Sequence, residues 1–315
     1  MHRQATRGRS VANAMPTRLW DVVQVKTNRR QSRSSQIARE LLENVNVRTP
    51  TSTQGARLSG APRQVEARRE ISNRVDEAEQ HEGSPPAFEV SPHIPLPPYL
   101  SDTYWWAYLH PAGVRLFERQ WLVNLILWGN FARLRDTALR EIGPCLNGRV
   151  LQLACVYGNF TERLAQQLGP MGQIDVVDVA PVQLRNLSAK LRGNRRVCLH
   201  HRDSTDLDFA DESYDHVVVF FLLHEQPEQV RARTIAQALR VVRPGGKVIM
   251  VDYHRPAWAN PLRYVMIPIL KTLEPFAMDL WRKELADWIP GSICPASVEK
   301  KTYFGGLYQK VVITR

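Results

Sequence analysis

From Gly148 to the C-terminus, short apolar runs alternate with segments of helical spacing, and this alternation limits the possible folds more than any other feature of the chain. Arg149–Ala154, Gln173–Val179, Arg196–His201, Asp215–Leu223 and Lys247–Asp252 read as strands. Thr161–Leu168, Pro181–Leu191 and Glu228–Val242 fall between them as helices, and Ser297–Thr302 with Tyr308–Thr314 reads as a closing antiparallel pair. Parallel neighbours need a crossover, usually a helix. The pattern therefore predicts an α/β fold: a doubly wound, mostly parallel, Rossmann-like sheet of seven strands with helices on both faces. Ligands of such a sheet lie at the carboxyl ends of its strands.

Those ends carry the candidate site. The first strand runs into Gln152-Leu153-Ala154-Cys155-Val156-Tyr157-Gly158-Asn159. A small-residue turn between strand and helix lets backbone approach a ligand closely. Twenty residues past Gly158 the second strand ends in Asp178-Val179, where an acid can hold both hydroxyls of a ribose. The third ends near Asp203-Ser204, suited to an adenine amino group. Together these predict an adenosine-containing ligand bound by Ala154, Cys155, Val156, Tyr157, Gly158, Asn159, Asp178, Val179, Asp203 and Ser204. Blander roles stay open: Asp178 as a cap for the helix at Pro181, and Tyr157 as packing over the site. Cys155 has no neighbouring base in the sequence and reads as structural.

Ahead of the sheet lie two different textures. Residues 1–98 read as a disordered extension with a proline-rich linker over Pro85–Pro98; two short helices are expected near Ser35–Asn44 and Gln64–Gln80. Residues 99–147 read as an aromatic helical cap, with Tyr104, Trp105, Trp106 and Tyr108 in a burst. Val114, Phe117, Trp121, Leu125 and Trp128 then follow at helical spacing, predicting one helix over Val114–Ile142 that Gly143-Pro144 ends. The stripe is a core face, a wall for a flat apolar substrate, or a membrane-facing surface. The formal net charge is +11: residues 1–63 contribute +9, 64–98 contribute −4 and 99–315 contribute +6. The folded part lacks a basic stripe interleaved with aromatics, which argues against a nucleic-acid partner. The longest uninterrupted apolar run, Val217–Leu223, has seven residues, far below the ~20 of a spanning helix. Cys145, Cys155, Cys198 and Cys294 have no paired spacing and read as reduced thiols. With Arg 34 to Lys 8, the composition suggests a bacterial cytoplasmic protein peripheral to the inner membrane; the Arg- and Ser-rich start offers a mitochondrial matrix protein with a cleaved transit peptide as the alternative.

The order of elements, with Arg243-Pro244-Gly245-Gly246-Lys247 before the fifth strand, resembles class I S-adenosylmethionine-dependent methyltransferases. Four stretches sharpen the resemblance to the rhodoquinone biosynthesis family: Tyr104–Tyr108 with Glu118–Asn124, Ala154–Gly158, His224-Glu225-Gln226-Pro227, and Tyr303–Lys310. The match covers roughly residues 97–315. It implies conversion of ubiquinone to rhodoquinone, a ring methoxy group giving way to an amino group, with S-adenosylmethionine as amine donor and manganese assisting. A plain quinone C-methyltransferase is the alternative.

The ordinary methyltransferase loop has an acid where Gln152 stands, and glycines where Ala154 and Val156 stand. A neutral Gln152 beside the donor's α-amino group would favour the uncharged, nucleophilic amine. That makes Gln152 and Tyr157 candidate catalytic residues, together with His224 and Glu225 at the end of the fourth strand. His224, Glu225, Asp252 and His254 share one rim, and their donors suit a manganese ion acting as a Lewis acid. Alternatively, His224 caps the next helix and Glu225 pairs with an arginine such as Arg255. Residues 256–290 insert before the last two strands. Pro268 and Pro275 are expected to break this insertion into short helices, forming a lid for an isoprenoid tail, a membrane dock, or a core helix pair.

Overall fold

The computed structural model describes Pro86 and residues 88–315; the helices expected near 35–44 and 64–80 lie outside those residues. The described chain begins with α1 (Pro98–Thr103), a one-turn π-helix (Trp105–Leu109), α2 (Pro111–Phe117), α3 (Gln120–Ile126) and α4 (Phe131–Ile142). Then come β1 (Arg149–Leu153), α5 (Phe160–Gln166), β2 (Gln173–Asp178), α6 (Pro181–Lys190), β3 (Val197–His201), β4 (Tyr214–Phe220), α7 (Glu228–Val241) and β5 (Val242–Tyr253). Helix α8 (Leu262–Leu273) and two 3₁₀ segments, Pro275–Trp281 and Leu285–Trp288, form the insertion before β6 (Ser297–Tyr303) and β7 (Tyr308–Thr314).

The seven strands lie in the order β3-β2-β1-β4-β5-β7-β6. β1 to β5 are parallel, and β7 runs antiparallel between β5 and β6. This is a doubly wound, mostly parallel, Rossmann-like sheet. β1, β2 and β4 are almost wholly buried because helices cover both faces, which is why their sequences read as continuous apolar runs. α4 packs on β5 and β7, α7 on β5, and α6 on β2 and β3.

The expected helix over Val114–Ile142 is three helices. Leu127, Trp128 and Leu125 leave their carbonyls to a tight exit in which Trp128 has φ 51° and Gly129 φ 76°. The buried Asn130 amide donates to the Leu127 and Trp128 carbonyls, ending α3 before α4 begins. α2 can lie on the π-helix only because residue 113 is glycine: a Cβ there would stand 1.9 Å from the Trp106 carbonyl oxygen. The insertion also departs from expectation. Pro268 sits inside α8 without breaking it, while Pro275 starts the next segment. Pro268 and Tyr264, whose carbonyl it leaves without an amide partner, are both exposed, so water can serve that oxygen. Among the described residues no helix is long and apolar enough to cross a membrane.

Candidate functional site

The strand ends of β1 to β5 open into one cavity of about 170 Å³, roofed by the aromatic cap. Following the sheet order, the lining passes from Asp203 and Ser204 after β3, through Asp178 and Val179 at β2 and Ala154–Tyr157 at β1, to His224 and Glu225 after β4 and Tyr253 on β5.

At the β1–β2 end, Asp178 staples the turn. Its carboxylate accepts from the backbone N–H of Cys155 at 2.7 Å and of Ala180 at 2.8 Å. Burial pushes the Asp178 carboxyl up, and those two backbone donors oppose the shift. The staple holds Ala154 at φ 71° and leads into Gly158 at φ 79°, with the Phe131 ring against the glycine. Asn159 precedes α5 and accepts from the Arg135 guanidinium at 2.6 Å. Gln226 lines this end too, donating to Ser204 Oγ at 3.2 Å while its buried Oε1 has no hydrogen-bond partner among the described residues. Asp203 accepts from the Thr205 N–H and hydroxyl, both at 2.8 Å. Burial drives the Cys155 thiol well up, and Asp178 adds to it, so this sulfur stays protonated.

Gln152 lies elsewhere than the sequence suggested. It is fully buried beneath the turn and does not line the cavity. Its Nε2 donates to the Ala154 carbonyl at 2.9 Å, and its Oε1 accepts from the Thr161 hydroxyl at 3.0 Å. Both functions of the amide are occupied in shaping the turn, so the account of a neutral amide beside the donor nitrogen has no geometric support.

Tyr157 ties the turn to the cap. Its hydroxyl donates to the Ala107 carbonyl at 2.7 Å and accepts from Gln183 Nε2 at 2.7 Å. Its ring stacks on Tyr108 (5.6 Å, 11°) and on Phe117 (5.9 Å, 27°). Burial pushes the phenol far up, so it is neutral. A second tie joins Glu118 of the cap to Lys190 at 2.5 Å and to Asn186 at 2.7 Å.

The β4–β5 end is where titratable groups converge. Asp252, wholly buried, accepts from the Leu223 and His224 N–H groups at 2.9 and 3.2 Å. Its Oδ1 lies 2.9 Å from His224 Nδ1 in an ion-pair contact. His224 Nε2 then faces Glu225 Oε1 at 3.7 Å and Glu274 Oε2 at 3.9 Å. Burial alone would push the imidazole down; Asp252, then Glu274 and Glu225, outweigh it and hold His224 up, at about 9. Burial pushes the Glu225 carboxyl up to about 8, His224 opposing and Glu274 adding to the rise. Burial raises Glu274 as well, and its buried Oε2 has no hydrogen-bond partner among the described residues. Burial raises both Glu225 and the half-buried Glu274 beside one imidazolium, so the protonated carboxyl form is favoured at this end.

The four residues considered for manganese do not come together. His224, Glu225 and Asp252 do, but Asp252 is taken up by backbone N–H groups. His254 points away from the cavity, with Nδ1 2.8 Å from the Gly306 carbonyl oxygen and Nε2 2.9 Å from Lys300 Nζ. Among the described residues, no group of three or more His, Cys, Asp or Glu side chains has the geometry to hold a metal ion.

Several site residues escaped the sequence reading. Glu274, from the end of α8, is the first acid after nineteen residues, 255–273, that contain none; that isolation was the available signal. Arg231 was invisible: fully buried on α7, it donates to the Leu223, Gln226 and Phe276 carbonyls at 2.8, 2.8 and 2.9 Å. It thereby locks the His224-Glu225 turn to the insertion that delivers Glu274.

Residues 150–246 match a family model described as a methyltransferase domain. Over 192 residues the chain is 28% identical to the demethylmenaquinone methyltransferases of Staphylococcus aureus strains JH9 and Newman, covering 58% of this chain and 76% of each relative. Among solved structures, a SAM-dependent methyltransferase from Aquifex aeolicus aligns with a TM-score of 0.43 and 16% identity, covering 65% of this chain and 97% of that one. Phosphoethanolamine N-methyltransferase 2 of Haemonchus contortus, in complex with S-adenosyl-L-methionine, also aligns with a TM-score of 0.43 and 16% identity, covering 65% and 45%.

Proposed function

We propose that this chain is an S-adenosylmethionine-using transferase acting on a polyprenyl quinone, and that it converts ubiquinone to rhodoquinone by exchanging a ring methoxy group for an amino group. The observation that carries the reading is the cluster of His224, Glu225 and Glu274 at one end of a cavity also lined by Tyr108, Phe117, Phe221 and Tyr253. Asp178, Asp203 and Ser204 at the other end suit the adenosine moiety.

Protons carry the chemistry derived for these residues, and no step runs through the manganese that the resemblance implies. The donor's uncharged amine adds to the ring carbon bearing methoxy, forming the C–N bond. A buried carboxylate takes the amine proton and returns it to the departing methoxide, which leaves as methanol. Nitrogen is then freed when the donor's α-proton is removed and two electrons pass from its N–Cα unit into the quinone ring. Water hydrolyses the resulting imine, giving an aminoquinol and an α-keto acid. An acid–base group whose pKa lies within about a unit of the working pH suits these transfers, and Glu225, pushed up to about 8, is such a group.

The test is anaerobic incubation of the purified chain with ubiquinone and S-adenosylmethionine labelled separately on the amine nitrogen and the methyl carbon. Nitrogen label in the quinone product, with one α-keto acid per turnover, is the expected result. A second reading, quinone C-methylation, is favoured by the demethylmenaquinone methyltransferase relatives, and carbon label in the product would establish it in place of the first.

A further inference from the structure

We propose that the outer surface of α2, α3 and α8 docks on an anionic phospholipid bilayer, so that the mouth of the cavity opens into lipid. The short cap helices are apolar on both sides. Val114, Val123 and Leu127 face the core, while Leu116, Trp121, Leu125 and Ile126 face outward, Trp121 at 59% and Leu125 at 65% exposure. α8 repeats the arrangement: Met266 and Leu270 are buried, whereas Tyr264, Val265, Ile269 and Leu273 are exposed. Helices of a protein surrounded only by water keep one polar face, and an apolar surface of this extent marks a contact.

Residue type and charge select lipid as the partner. Five exposed tryptophans, Trp105, Trp106, Trp121, Trp128 and Trp258, belong to these two segments, and tryptophan concentrates at the level of lipid headgroups. Residues 105–133 and 255–273 carry Arg115, Arg119, Arg133, Arg255, Arg263 and Lys271 against a single acid, Glu118, and that acid is already committed to Lys190. The exposed Arg115, Arg119, Arg255 and Lys271 of these segments complement anionic headgroups, and the exposed aromatic and aliphatic side chains an acyl layer. The surface is also continuous with the site, since Trp106 and Ile126 are both exposed and lining the cavity, and Glu274 ends α8 inside it. A quinone tail leaving the cavity would cross this face; that link rests on the proposed function, whereas the docking itself does not.

Flotation of the full chain with phosphatidylcholine vesicles, with and without phosphatidylglycerol, tests the proposal. The wild type is expected to float with the anionic vesicles and to lose binding as salt rises. The Trp121→Ser/Leu125→Ser double variant is expected to bind at least tenfold more weakly, with an unchanged circular dichroism spectrum and unchanged turnover of a short-tailed, water-soluble quinone. A wild type that floats with neither vesicle overturns the proposal, as does a double variant that binds like the wild type. Concentration-dependent dimers lost in the variant, without flotation, would assign the face to a second copy of the chain. Flotation without nitrogen transfer leaves the docking standing and removes only the proposed reaction; nitrogen transfer to a short-tailed quinone without flotation does the reverse.

Discussion

Ala154 holds a backbone conformation that a side chain resists. At φ 71°, an L-residue with a Cβ bears about 1–2 kcal/mol of steric strain, and glycine there would lose about 0.5–1 kcal/mol through its greater freedom in the unfolded chain. The first effect is larger, so Ala154→Gly is expected to raise stability by about 0.5–1 kcal/mol, read as a higher urea midpoint at unchanged slope. The strain is held by the Asp178 carboxylate on the Cys155 N–H and by Gln152 on the Ala154 carbonyl. Glu274 is the complementary case at the other end, a buried carboxyl oxygen that faces His224 but has no hydrogen-bond partner among the described residues. Glu274→Gln keeps the shape and removes the proton. Turnover is expected to fall about 10²-fold or more, while binding of S-adenosylmethionine, measured by calorimetry, is unchanged.

α7 and the insertion form one mechanical unit through Arg231. Three carbonyls from two segments converge on its guanidinium, which also lies 4.8 Å from the centre of the Trp288 ring. Arg231→Met fills the space but leaves three buried acceptors without donors, at about 1–3 kcal/mol each if none finds water. A loss of about 3 kcal/mol or more is expected, with limited proteolysis cutting first within 275–288. This link also shows where the sequence was legible. β1 to β5 could be found because both their faces are covered, which leaves an apolar run at each strand. The cap misled because Trp121, Leu125 and Trp128 continue a helical period while pointing outward, so the spacing carried no information about burial or about the break at Gly129. Asp178, Asp203, His224 and Glu225 were visible as strand-end residues, since topology alone brings strand ends together. Glu274 and Arg231 were not, because their positions depend on how the insertion docks. Gln152 was found as a departure from the usual loop, but its burial beneath the turn is a three-dimensional fact.

The whole molecule inherits a pH dependence from the β4–β5 end. His224 is held up from 6.5 to about 9, so its contribution to stability is complete below 6.5 and is lost as pH climbs through 9. Glu225 is raised from 4.5 to about 8 by burial. The folded state therefore binds its proton more tightly than the unfolded chain does, and stability falls as pH rises from 4.5 through 8. Both groups act in the same direction. The urea midpoint is expected to drop steadily between about pH 5 and pH 9, and to drop less in Glu225→Gln, which mimics the protonated acid. A midpoint that rose across this range would show that the two groups are not held as described.

The Tyr157 phenol oxygen accepts from Gln183 on α6 and donates to Ala107 in the cap, while its own backbone belongs to the turn after β1. Roof, floor and flanking helix thus meet at a single atom. A shift of the turn is therefore carried to the aromatic roof, and to the helix beside it, through one hydroxyl group.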